Sequence, residues 1–114
     1  MTDLNSYQKA TVSTAIYPEV GTGSQLAFAY CALGLGSEAG EVAGRVKKVI
    51  RDEDGILSME SRDAIIDELG DVLWYVARLA DEVGVSLGSV ASLNLGKLKS
   101  RQKRGVLAGS GDKR

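Results

Sequence analysis

Ile65-Ile66-Asp67-Glu68-Leu69-Gly70-Asp71-Val72-Leu73-Trp74-Tyr75-Val76 is the stretch whose reading decides the fold. Within it and just beyond, Ile65, Leu69, Val72, Val76, Leu79 and Val83 recur at three- and four-residue steps. That is the period of one helix face, not the alternation of a strand. The valines and isoleucines are good strand formers, but their spacing is helical. Ser58 can cap the start of this helix and Gly84 can stop it, so it is expected to run to about Glu82.

Working outward, the same grammar covers the rest of the chain. A periodic segment of roughly residues 3–16 is broken by Pro18, the only proline. Tyr17 to Ser24, with Gly21 and Gly23, reads as a loop. Ser24 to about Arg51 is helical in pattern, and Asp54-Gly55 marks the turn before Ser58. Ser86 caps a fourth helix that reaches about Arg101. The expectation is an all-α protein of the four-helix bundle type, with short connections favouring antiparallel neighbours. Residues 1–104 form one domain, and residues 105–114 read as a flexible, basic, glycine-rich tail.

Composition narrows the chemistry. The chain has 114 residues, enough for one domain, with 44% hydrophobic and 25% charged residues, which argues against whole-chain disorder. There is no histidine, so His-dependent triads and histidine metal sites are excluded. A single cysteine, Cys31, excludes an internal disulfide and suits a reducing compartment. Cys31 is expected to be a small buried apolar residue. The polar first nine residues do not read as a signal peptide, and no stretch is long and apolar enough to span a membrane, so a cytoplasmic protein is expected. Fourteen basic against fifteen acidic residues leave a net charge of −1, but the distribution is uneven. Residues 95–114 carry seven basic groups against Asp112 alone. This basic end is either a solvated helix end and tail or a place for an anion.

The feature that points to chemistry is a short repeat. Residues 37–42 read Ser-Glu-Ala-Gly-Glu-Val, and residues 67–72 read Asp-Glu-Leu-Gly-Asp-Val. Each copy places two carboxylates at i and i+3 on one helix face: Glu38 with Glu41, and Glu68 with Asp71. Both pairs border the apolar seam where the second and third helices should meet. Four carboxylates at such a rim repel one another unless a cation lies between them. An all-oxygen set suits Mg²⁺, with Mn²⁺ as a substitute. The plain alternative is four solvated carboxylates with basic neighbours. Gly34, Gly36, Gly40 and Gly44 in the second helix, and Gly70 in the third, suggest close approach of another backbone or a ligand. Phe28 and Tyr30 are expected in the core, and Trp74 in the core or an oligomer interface.

At these residues the sequence resembles the MazG-like family of all-α nucleoside triphosphate pyrophosphohydrolases. The family pattern Glu-x-x-Glu, a spacer, then Glu-x-x-Asp is matched by Glu38-x-x-Glu41, twenty-six residues, and Glu68-x-x-Asp71. Leu33-Gly34-Leu35, Lys47-Lys48, Val72-Leu73-Trp74-Tyr75 and Asn94-Leu95-Gly96-Lys97-Leu98 with Arg101 are also similar to the family. Tyr7-Gln8 at the start, and Arg104-Gly105 with Gly109-Ser110-Gly111-Asp112 at the end, look like a single-domain bacterial and phage subgroup. One departure is Ser37, where many relatives carry an additional Glu. The resemblance implies Mg²⁺-dependent hydrolysis of ribo- or deoxynucleoside triphosphates to monophosphate and pyrophosphate, a house-cleaning of the nucleotide pool. It implies metal ligands Glu38, Glu41, Glu68 and Asp71, with Glu41 or Glu38 as the catalytic base. Lys47, Lys48, Tyr75, Asn94, Lys97 and Arg101 would bind substrate. It also implies a homo-oligomer, a tetramer more readily than a dimer, with each site completed by a neighbouring chain. No stable nucleic-acid partner is expected. The competing reading is a non-enzymatic helical interaction module whose basic C-terminal segment binds nucleic acid or an acidic partner.

Overall fold

A computed structural model describes residues 1–114. It is all-α, as the periodicity predicts, with four α-helices: α1 (Leu4–Thr11), α2 (Gln25–Asp52), α3 (Met59–Glu82) and α4 (Leu87–Lys103). The expected first segment, 3–16, resolves into α1 followed by a 3₁₀ turn at Val12–Thr14. No helix is long and apolar enough to cross a membrane.

Each helix starts on a side-chain cap. Asp3, Ser24, Ser58 and Ser86 accept from the backbone N–H of Ser6, Ala27, Ser61 and Ser89. This is the N-cap chemistry that makes short polar residues good starters. α3 stops at Gly84, whose φ of 80° lets the chain reverse. There Val85 N–H reaches Ala80 O at 2.9 Å and Gly84 N–H reaches Asp81 O at 3.1 Å, the paired bonds of a Schellman cap.

α2 and α3 form the long antiparallel hairpin at the centre of the molecule. α1 lies across α3, bound by Gln8. Gln8 Nε2 donates to Asp81 (2.7 Å) and to the Val85 carbonyl (3.0 Å), and its Oε1 accepts from Leu87 N–H at 2.7 Å. The loop between α1 and α2 is held by a buried ionic knot. Glu82 accepts from the hydroxyl of Tyr17 and from the backbone N–H groups of Gly21 (2.8 Å) and Gly23 (3.0 Å). Arg78, only 1% exposed, pairs with Asp81 and lies 3.7 Å from Glu82. Burial alone would raise the Glu82 pKa, but these donors and the Arg78 charge hold it below its ordinary value.

The core is small. Tyr17, Ala27 and Cys31 are buried together, with Trp74, Tyr75 and Leu79 packed on them. Cys31 is buried, as expected. Two other expectations are corrected. Phe28 and Tyr30, expected in the core, are half exposed, and on α3 the seam residues Leu69 (50%) and Val83 (60%) lie open. The side chains that α3 fully buries are Ala77, Arg78, Ala80 and Glu82, near its C-terminal end, so its larger apolar side chains are not the enclosed ones. The glycine ladder is also narrower in its effect than the sequence suggests. A Cβ on Gly36, Gly40, Gly44 or Gly70 would meet nothing within 4 Å, whereas one on Gly34 would fall 2.2 Å from the Tyr75 ring.

α4 departs from a compact bundle. Every residue from Ser92 to Ser100 is exposed. The radius of gyration is 16.8 Å, against about 13 Å for a compact chain of this length. The segment from Gly105 folds back on α4. Arg114 donates to the carbonyls of Val106 (3.1 Å), Leu107 (2.9 Å) and Gly111 (2.7 Å).

Candidate metal and nucleotide site

The two Glu-x-Gly-acidic copies face each other across the α2–α3 hairpin. Glu38, Glu68 and Asp71 each bring a carboxylate oxygen within 4.8 Å of the other two. Helical spacing does this locally: i and i+3 put Glu68 and Asp71 on one face of α3, and the antiparallel partner presents Glu38 opposite them. Burial first, and then the charges of Asp71, Glu68 and Glu41, push the Glu38 carboxyl above its ordinary value. The cluster therefore concentrates negative charge around Glu38, and its donors are hard oxygens only. That donor set fits Mg²⁺ or Mn²⁺. Glu41, the fourth expected ligand, is exposed on α2 and stands outside the trio.

Arg45 Nε donates to Glu68 at 3.4 Å, a contact the sequence reading did not anticipate. It lies one turn beyond Glu41, where an i+4 partner of the helix face should be. Lys48, expected to bind substrate, shares with Arg45 a cleft of about 280 Å³ that also includes Asp52, Glu53, Glu60 and Ser61. Lys47 is exposed on α2.

Tyr75 lies beside the trio, as expected one turn beyond Asp71. Its ring covers the Gly34 backbone and meets Trp74 edge to face at 4.9 Å. Glu38 lines two clefts, one on each side of this ring. Thr14, Asp71, Trp74 and Tyr75 complete a cleft of about 290 Å³. Tyr30, Leu33, Gly34, Ser37 and Tyr75 complete another of about 300 Å³. Trp74, expected in the core or an oligomer interface, shares a cleft with Glu38 and Asp71. Its indole N–H donates to Thr14 Oγ1 at 2.9 Å. Thr14 had no signal in the sequence, because its partner is 60 residues away and a lone threonine in a short segment has no period.

Neither of the clefts lined by Glu38 includes a residue of α4. Asn94, Lys97 and Arg101 lie on the exposed half of that helix and its end. Within the chain, Lys97 Nζ donates to the Asp112 carboxylate at 3.1 Å. Arg101, buried by the returning tail, donates to the same carboxylate at 3.3 Å and to the Asp112 carbonyl. Asn94 borders a surface hollow with Val85, Val90, Leu93 and Lys97.

An all-α chain with two acidic pairs facing across a helical hairpin belongs to a recognisable class. The model of the MazG nucleotide pyrophosphohydrolase domain matches residues 29–106, and the chain belongs to that family. It is 50% identical, over 109 residues, to the Gene 37 protein of Mycobacterium phage L5, covering 95% of this chain and 96% of that protein. No solved structure matches it.

Proposed function

We propose that this chain hydrolyses nucleoside triphosphates, ribo- or deoxy-, between the α and β phosphates, releasing the monophosphate and pyrophosphate and so clearing the cytoplasmic nucleotide pool. The observation that carries the reading is the convergence of Glu38, Glu68 and Asp71 from the two sequence copies to within 4.8 Å. In-line attack by water on phosphorus needs positioning and charge neutralisation more than a covalent nucleophile, and this chain has no histidine to activate one. The trio would hold Mg²⁺, which supplies positive charge and Lewis acidity toward the phosphates. Glu41, outside the trio and one turn from Glu38, would take the proton from the attacking water, with Glu38 as the alternative.

Lys97 and Arg101 would reach the phosphates from a neighbouring chain. Support comes from the shape of the protomer. Its exposed surface, 7835 Å², exceeds that of a compact protein of this mass by about 1,800 Å². The exposed stretch of α4, residues 92–100, is left open to solvent, with Lys97 bound only to Asp112 of the returning tail. A homo-oligomer, a tetramer more readily than a dimer, covers it.

The test is product analysis with a panel of ribo- and deoxynucleoside triphosphates, with Mg²⁺ and with EDTA. Pyrophosphate plus monophosphate, abolished by EDTA, is the expected result. Orthophosphate would overturn the cleavage position, and silence across the panel would move the weight to a helical interaction module. A companion experiment uses Glu38→Gln. Turnover should fall by about two orders of magnitude or more. The metal-free variant should nevertheless melt higher than the wild type, because one repelling carboxylate is gone. Mn²⁺ should raise the melting temperature of the wild type and leave that of the variant nearly unchanged.

A further inference from the structure

The surroundings of the carboxylates differ on their two sides. On the Arg45 side the cleft sets Arg45 and Lys48 among Asp52, Glu53 and Glu60, beside Ser61 and Ala64, and contains no aromatic ring. Trp74 and Tyr75, in contrast, share a cleft with Glu38 and Asp71. A nucleotide also has two unlike ends. Its phosphates belong with the metal that the carboxylates would hold, and its base has a π-face that stacks on aromatic rings.

The aromatic side is also a built feature. Thr14 Oγ1 accepts from the indole N–H of Trp74 while its own hydroxyl donates to the Thr11 carbonyl at 3.1 Å. With both bonds made, Thr14 fixes the indole rather than offering itself to a ligand. The turn carrying Thr14 is anchored on both sides. Gln8 ties α1 to α3 and α4, and Tyr17, Gly21 and Gly23 tie the following loop to Glu82. One partner in each of these bonds lies in the first 24 residues, outside the span matched by the family model.

We propose that the cleft between Thr14, Trp74 and Tyr75 is the nucleoside subsite, with Trp74 stacking on the base and Thr14 acting as the positioning residue that sets the indole. The assignment rests on the reading of the carboxylates as the phosphate end. It places substrate selectivity partly in the N-terminal segment, which the metal-binding motif does not include.

Trp74 is the only tryptophan, so its emission reports on this cleft alone. Metal-free protein is titrated with nucleoside monophosphates and, separately, with inorganic pyrophosphate. Monophosphates should shift the emission saturably and pyrophosphate should not. Thr14→Val should raise KM and the monophosphate Kd roughly five- to a hundred-fold, the range of a base–aromatic stack, with kcat little changed. Thr14→Ser, which keeps the acceptor, should restore both. The proposal is overturned if monophosphates leave the emission unchanged in a protein that hydrolyses triphosphates, or if Thr14→Val lowers kcat at constant KM. A saturable shift in a protein without turnover would retain the subsite and sink the hydrolase reading instead.

Discussion

Gly34 shows what a single residue can hold in place. Its missing side chain is the space occupied by the Tyr75 ring, which stands beside Glu38. Gly34→Ala would push a methyl group against the ring, and overpacking of this kind costs about 1–3 kcal/mol. The expected outcome is a lower chemical-denaturation midpoint, with Gly34→Ala/Tyr75→Ala losing less than the sum of the two single variants, since the three atoms nearest the added methyl all belong to that ring. The Glu82 knot gives a second prediction at this scale. The folded-state pKa of Glu82 lies below its unfolded value, so its contribution is present at neutral pH and is lost as pH falls through the ordinary glutamate range. Stability measured in urea should therefore drop on acidification in the wild type and respond less in Glu82→Gln. At pH 7 that variant should be weaker by about 1–3 kcal/mol, because Arg78 loses the nearby Glu82 charge while keeping Asp81. The carboxylate pairs were legible in the sequence because helical spacing alone puts each pair on one face. The glycines were half legible. A ladder of four can be read as close packing, but which one meets a ring depends on the partner helix. Tyr17–Glu82 and Thr14–Trp74 were not legible, because bonds spanning 60 residues or more leave no local pattern.

At the scale of elements, the helix starts were legible because each rests on a capping side chain immediately before the periodic run. What the period did not show is which part of each helix is covered. α3 buries its alanines and leaves Leu69 and Val83 open, so its apolar stripe serves more than one neighbour. α4 is the extreme case. Leu93 and Leu95 are 71% and 65% exposed, and a helix with no packed face is marginal in water. Amide hydrogen exchange should separate the elements. At dilutions where the protein is monomeric, residues 92–100 should exchange fast while Ala77 and Ala80 remain protected. At high concentration the protection of α4 should rise toward that of α3.

The whole protomer is open: a hairpin of two long helices, one short helix laid across it, and a fourth with an uncovered half. On the proposal that other copies cover this surface, the melting temperature should climb with protein concentration. Sedimentation should show an assembly that Leu93→Glu breaks, at a position none of the clefts around the carboxylates includes. The family resemblance pointed toward self-association, but the amount of surface left open could be read only from the assembled helices. Cys31 adds one more property. It is the only thiol, it lies with no exposed surface among Ala27 and Tyr17, and burial raises its pKa. A disulfide reagent can therefore reach it only when the α1–α2 loop lifts away from α3. The protein thus carries its own opening clock: the rate at which the native chain is labelled at neutral pH counts how often the ionic knot at Glu82 lets go.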